Sequence, residues 1–222
     1  MTPELLTSLC LFAFVTSITP GPNNAMLFAS GVNHGIRRTL PHLLGVTLGF
    51  TFMQLALGLG VGLVFEALPG LYSTLRALGL AYMLYLAWRI ANSTPPEQGR
   101  DGALTDAPAA DALPPKAEKS RPMTFLEASA FQWVNPKALM MCVTAASTYA
   151  PPDSPVLGAL LVTGVFFVAG MPCVALWVLL GKLMRGLLQS RKRLLAFNWA
   201  MAALLLASMA PMAGEVLRDG LF

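Results

Sequence analysis

Charge is scarce in this sequence. Only 12% of the 222 residues are Asp, Glu, Lys or Arg, while 55% are hydrophobic. A soluble domain normally carries about twice that charged fraction, so a water-solvated globule is excluded and the solvent is read as lipid. Histidine is rarer still, with His34 and His42 alone. The three cysteines, Cys10, Cys142 and Cys173, stand isolated in apolar segments without metal-ligand spacing, which excludes a disulfide framework or zinc site and leaves buried structural thiols. No acid, His or Cys pair within the apolar runs has the spacing a nucleophile and base or a metal site needs, so an embedded enzyme is disfavoured and no cofactor is expected. Strand-like alternation is also missing.

The net charge of +4 does not imply a nucleic-acid partner, because the basic residues form neither a face nor a tail. They cluster between apolar runs, as in bilayer proteins. The opening Met1-Thr2-Pro3-Glu4 lacks a basic n-region, so the first run is expected to stay as a helix rather than be cleaved.

What the sequence does contain is six apolar runs of spanning length: Leu5 to Ser30, Leu40 to Phe65, Leu71 to Ala91, Thr124 to Tyr149, Val156 to Leu180 and Leu194 to Leu217. Thr39 can cap the second run with Pro41 in its first turn. Pro69-Gly70 and Pro151-Pro152-Asp153 punctuate later turns, and Pro172 and Pro211 are candidate kinks. Residues 93–122 turn abruptly to Pro, Ala, Asp, Glu and Lys and read as a disordered linker. Arg37, Arg38, Arg89, Arg100, Lys116, Lys119, Arg121, Lys182, Arg185, Arg191, Lys192 and Arg193 lie in alternate loops. The positive-inside rule makes those loops cytoplasmic and turns both termini outward; a five-helix alternative, with the first run on the surface, also fits.

The expected fold is all-α: six transmembrane helices as two inverted three-helix repeats, residues 1–92 and 123–222, joined by the linker. Three is odd, so the second set must cross in the opposite sense. Each half carries a breaker in its first helix, Thr19-Pro20-Gly21-Pro22-Asn23-Asn24 and Asn135-Pro136-Lys137. Pro20 lies about 49 positions before the Pro69 turn, and Pro136 roughly 50 before the middle of the 185–193 loop, as equivalent repeats require.

Pro20, Gly21 and Pro22 cannot continue a helix, so free backbone groups are expected between two half-helices, where irregular backbone lines a cavity. The second half-helix points its amides into that gap and suits a carboxylate. Asn23 and Asn24 either cap that helix or meet the substrate. Lys137 stands alone in charge at the middle of any run; it either faces the cavity or snorkels to the cytoplasm. Gln54 and Gln132 are read as cavity-lining or as interhelical hydrogen-bond partners. His34 and His42 are placed at the cytoplasmic interface and expected to be solvated. Glu127 is a proton site or an exposed interfacial carboxylate.

The two breakers, with the basic pair after Asn33-His34-Gly35, resemble the LysE/RhtB family of amino-acid exporters. The segments Met1-Thr2-Pro3, Ala81-Tyr82 to Ile90 and Phe131 to Asn135 are most similar to its cysteine and O-acetylserine branch. The resemblance implies a small amino-acid substrate, the proton as coupling ion and an inner-membrane location, and it leaves a homodimer open. It also implies a cavity built from the two motifs, with Pro20, Gly21, Pro22, Asn23, Asn24, Asn135, Pro136 and Lys137, beside which Gln132 is taken as a further substrate-binding candidate. One departure is that 166–174 has no acidic residue where some branches have one, so no proton-carrying carboxylate is identified.

Overall fold

The computed structural model describes residues 1–61, 69–93, 121–151, 154–188, 190–210 and 214. Among them every regular element is helical: α1 (Pro3–Ile18), α2 (Pro22–Ala56) running into a π-helical turn (Leu57–Val61), α3 (Pro69–Ala91), α4 (Phe125–Phe131) with a 3-10 turn (Gln132–Val134), α5 (Pro136–Tyr149), α6 (Pro155–Arg185) and α7 (Arg191–Ser208). Most of the expected linker, and Pro211, lie outside the described residues. Pro69-Gly70, expected as a turn, forms the first residues of α3.

Local chemistry explains the helix limits. Thr2 caps α1 by accepting from the Leu5 amide, with Pro3 at its first position. The helix stops at Ile18 because Pro20 has no amide to donate and forces Thr19 into extended geometry. Pro22 then opens α2, where a missing N–H is harmless. In the second half Asn135 is extended and its Oδ1 accepts from the Lys137 amide at 3.2 Å, so it caps α5 directly before Pro136.

α2 is two limbs. Gly35 has φ 73° and ψ 175°, left-handed geometry that L side chains avoid, and the chain folds back there. The Ser30 and Thr39 hydroxyls meet at 2.8 Å, whereas nine residues of straight helix would separate them by about 13 Å. This corrects the expected capping role of Thr39: the reversal lies at Gly35, and Thr39 is a buried hydroxyl tying the limbs together.

Packing follows small residues. A Cβ on Gly31 would collide with the Val178 carbonyl, and one on Gly181 with the Phe28 carbonyl, so the first limb of α2 and α6 cross backbone to backbone. Gly45 and Gly49 bring the second limb equally close to Phe125 and Ser129 of α4. On that limb Gly45, Gly49 and Met53 are buried while Leu44, Leu48 and Phe52 are exposed. This is one helix with an apolar stripe on both faces, as expected where lipid replaces water. α6 continues the pattern, with Leu157, Leu160 and Val168 exposed opposite Val162 and Phe166. By length and composition Pro155–Arg185 can cross a membrane, and Pro22–Gly60, divided by the reversal at Gly35, also contains a stretch apolar enough to do so. Cys142 and Cys173 are buried, whereas Cys10, expected to be buried, lies exposed on α1.

Candidate functional site

Ending a helix leaves its last carbonyls without partners, and α1 ends with Ser17 buried, Ile18 half-buried and Thr19 and Pro20 exposed. Each carbonyl is accounted for. Val15 accepts from the Thr19 amide, Thr16 from the Thr19 hydroxyl at 3.0 Å, Ser17 from Asn24 Nδ2 at 2.8 Å and Ile18 from the Trp177 indole at 3.2 Å. The Thr19 carbonyl accepts from both Asn24 Nδ2 at 2.8 Å and Lys137 Nζ at 2.7 Å. Lys137 Nζ also donates to Thr19 Oγ1 at 2.9 Å and to the Pro20 carbonyl at 3.2 Å.

The three ammonium protons of Lys137 therefore have three acceptors at the negative end of α1. The backbone oxygens expected to be free at this break are not free; Thr19 itself, Lys137, Asn24 and Trp177 satisfy them. Gly21 makes room for this. Its backbone is extended, with φ −178°, so conformation does not demand glycine there. Space does: a Cβ at Gly21 would sit 2.7 Å from Lys137 Cδ.

A second bridge joins the same two stretches. Asn23 Nδ2 donates to Gln132 Oε1 at 2.7 Å and Gln132 Nε2 donates back to Asn23 Oδ1 at 3.2 Å. Gln132 also donates to the Ala128 carbonyl at 2.8 Å. Thus Thr19 to Asn24 and Gln132 to Lys137, more than a hundred residues apart in sequence, meet in space.

Beside this junction lies a cavity of about 540 Å³, counted out to its open mouth. Its polar wall is Ser17, Gly21, Asn23, Asn24, Asn135 and Lys137; Thr16, Thr47 and Thr51 add hydroxyls; Val46, Phe50, Ala138, Met141, Phe166 and Val174 make the apolar side. The Asn24 Oδ1 atom is buried in this wall without a hydrogen-bond partner. The amides of Asn23 and Asn24, in the first turn of α2, have no intrahelical acceptor. The wall accordingly holds an ammonium engaged at the end of α1, helix-end amides and one buried acceptor without a protein partner.

Of the residues singled out in the sequence, Gly21, Asn23, Asn24, Asn135 and Lys137 line this cavity. Pro20, Pro22 and Pro136 shape the backbone behind it, and Gln132 stands behind Asn23. Gln54 is fully buried away from the lining, with neither amide atom partnered. Glu127 accepts from Arg121 Nη1 at 2.8 Å and completes a capping box with Thr124; in turn its carboxylate raises the Arg121 guanidinium above its ordinary range. His42, expected to be solvated, is 2% exposed with both ring nitrogens unpartnered.

Sequence reasoning missed Thr47 and Thr51, whose spacing of four behind Gly45 and Gly49 was the available signal. It also missed Asn198, fully buried, which bonds Asn33 at 3.0 Å and the Ser93 carbonyl at 2.8 Å. A lone asparagine in an apolar run gives no local clue to either partner.

Residues 14–211 match the LysE type translocator family. The chain belongs to that family. Over 211 residues it is 31% identical to a cysteine/O-acetylserine efflux protein of Escherichia coli O139:H28, covering 93% of this chain and 96% of the relative. Proteins of the same description from Escherichia coli K12 and Shigella sonnei are 31% identical over 210 residues, covering 92% of this chain and 95% of each. No solved structure matches. Family membership makes the chain a membrane translocator rather than an enzyme, and the cavity with its two helix ends is its candidate cargo site.

Proposed function

We propose that the protein exports small neutral amino acids or their derivatives, of the cysteine/O-acetylserine or homoserine/threonine kind, from the cytoplasm across the inner membrane by proton antiport. The relatives' efflux of cysteine and O-acetylserine supports the substrate class. The observation that carries the reading is the shared wall of Lys137 and Asn24: an ammonium for the substrate carboxylate and a buried, unpartnered amide oxygen for the substrate ammonium. A zwitterion fits such a pair of opposite handles, and the apolar wall leaves room for a short neutral side chain.

In the same reading the chain crosses the bilayer six times as two inverted three-helix repeats, with the first helix of each interrupted at Thr19 to Gly21 and at Asn135, and with both termini outside. Lys137 then clamps one interruption to the other. A substrate carboxylate competes with the Thr19 and Pro20 carbonyls for its protons, loosening the clamp when cargo is bound. Differential binding of this kind is what a carrier needs to couple occupancy to rocking of the repeats.

Counterflow of labelled amino acids in proteoliposomes tests the proposal. Saturable exchange of L-cysteine or O-acetyl-L-serine is expected, collapsing in a correctly inserted Lys137→Ala variant and accelerated by an inward proton gradient. Normal exchange by Lys137→Ala removes the clamp from the mechanism. Flux that never saturates makes the protein a channel.

A further inference from the structure

A second cavity, of about 460 Å³ counted out to its open mouth, lies away from the first, between the two limbs of α2, the end of α3 and the segment leading into α4. Its lining includes Ser30, Asn33, His34, His42, Arg89 and Arg121, so it sits among the basic residues that mark the cytoplasmic end. Two features of this cavity have no use in the cargo site.

First, part of its positive charge is unmatched among the described residues. Glu127 is the acid beside it, and that carboxylate is engaged by Arg121 and the Thr124 cap. Arg89 has no carboxylate partner among the described residues. Its guanidinium donates to the Arg121 carbonyl at 2.8 Å and lies 5.7 Å from the centre of the Tyr85 ring, which leaves most of its five N–H donors unspent. Second, His42 lines the cavity while 2% exposed, and neither ring nitrogen has a partner. An imidazole always presents at least one N–H, and a buried donor without an acceptor is unfavourable unless something else supplies one.

A guanidinium with free donors and a dry imidazole N–H in one cavity lack the same thing, an anionic acceptor. We propose that this cavity is a second binding site, which receives the carboxylate of a small amino acid at the cytoplasmic end, with Arg89 as its fork and His42 as a further donor. The proposal rests on the reading of the chain as an amino-acid translocator and adds a waiting site ahead of the Lys137 clamp. Planar, two-pronged donation by arginine suits a carboxylate better than a spherical anion.

The sequence holds just two histidines, which makes the site observable. Full-length protein labelled with ¹⁵N-histidine in nanodiscs gives two sets of imidazole signals, and loss of one in His42→Gln assigns them. L-Cysteine under reducing conditions is expected to move the His42 signal saturably, whereas cysteamine, which lacks the carboxylate, leaves it in place. Arg89→Gln should raise the L-cysteine midpoint at least about tenfold, Arg89→Lys should raise it less, and Lys137→Ala should leave the shift intact. An unchanged ligand-free His42 signal in Arg89→Gln shows that the cavity is still folded.

A His42 signal that ignores L-cysteine, follows cysteamine equally, or keeps its midpoint in Arg89→Gln overturns the proposal. Counterflow on the same preparation judges the transport reading separately. Exchange without a His42 shift sinks the second site alone, while a carboxylate-dependent shift without exchange sinks the transport reading and leaves the site standing.

Discussion

Alanine at Gly21 tests whether the Lys137 clamp matters to cargo binding. The backbone there is extended, a conformation open to any residue, so the substitution brings no conformational strain. What the new methyl meets is Lys137, with Cδ at 2.7 Å, Nζ at 3.1 Å and Cε at 3.4 Å. Ordinary carbon contacts lie at about 3.5–4.0 Å, so the lysine stem must retreat by roughly 1 Å. Its bonds to Thr19 and Pro20, now 2.7, 2.9 and 3.2 Å, cannot all survive that shift. Losing one hydrogen bond to a charged group costs about 1.5–3 kcal/mol, or about 10- to 150-fold in affinity. The lower end applies here, because the ammonium can recover some solvation from the open cavity. Because a substrate carboxylate competes for those same protons, releasing them favours cargo, and counterflow should show a KM lowered about tenfold for Gly21→Ala, with the melting midpoint within a few degrees of wild type. In a Lys137→Ala background the same substitution should do nothing further, since the atom it displaces is gone. A wild-type or raised KM in Gly21→Ala would refute the reasoning.

The reciprocal Asn23–Gln132 amide pair should show coupling of about 1–2 kcal/mol in a double-mutant cycle of Asn23→Ala and Gln132→Ala, read from thermal unfolding in detergent; strictly additive losses would mean that the pair holds nothing together. Gly31→Leu drives a side chain into the Val178 carbonyl and should abolish the monodisperse peak in size-exclusion chromatography. Gly164→Ala, which meets nothing within 4 Å inside α6, should stabilise by about 0.5–1 kcal/mol through helix propensity alone, seen as a raised melting midpoint. Gln54→Leu replaces a buried amide with no partner and should stabilise by about 1 kcal/mol, seen as a raised melting midpoint; a lowered midpoint would show that Gln54 is satisfied by something it binds.

Composition and local stereochemistry already determined much of this protein. Low charge and long apolar runs set lipid as the solvent, because side-chain transfer energies act residue by residue. Pro20, Pro22 and Pro136 mark where helical geometry is left or resumed, because a missing amide is a property of the residue itself. The charge of Lys137 marked it out at once, since no acid shares its depth in the sequence. Only the tertiary structure decided the partners. That Lys137, Asn24 and Trp177 reach carbonyls at the end of α1, that Asn23 faces Gln132, and that His42 is buried rather than solvated all depend on which helices lie side by side. Those neighbours are set by backbone contacts at Gly31, Gly45, Gly49 and Gly181 and by the reversal at Gly35. Such contacts join residues scores of positions apart, and no local pattern of hydropathy, charge or helix breaking carries that pairing.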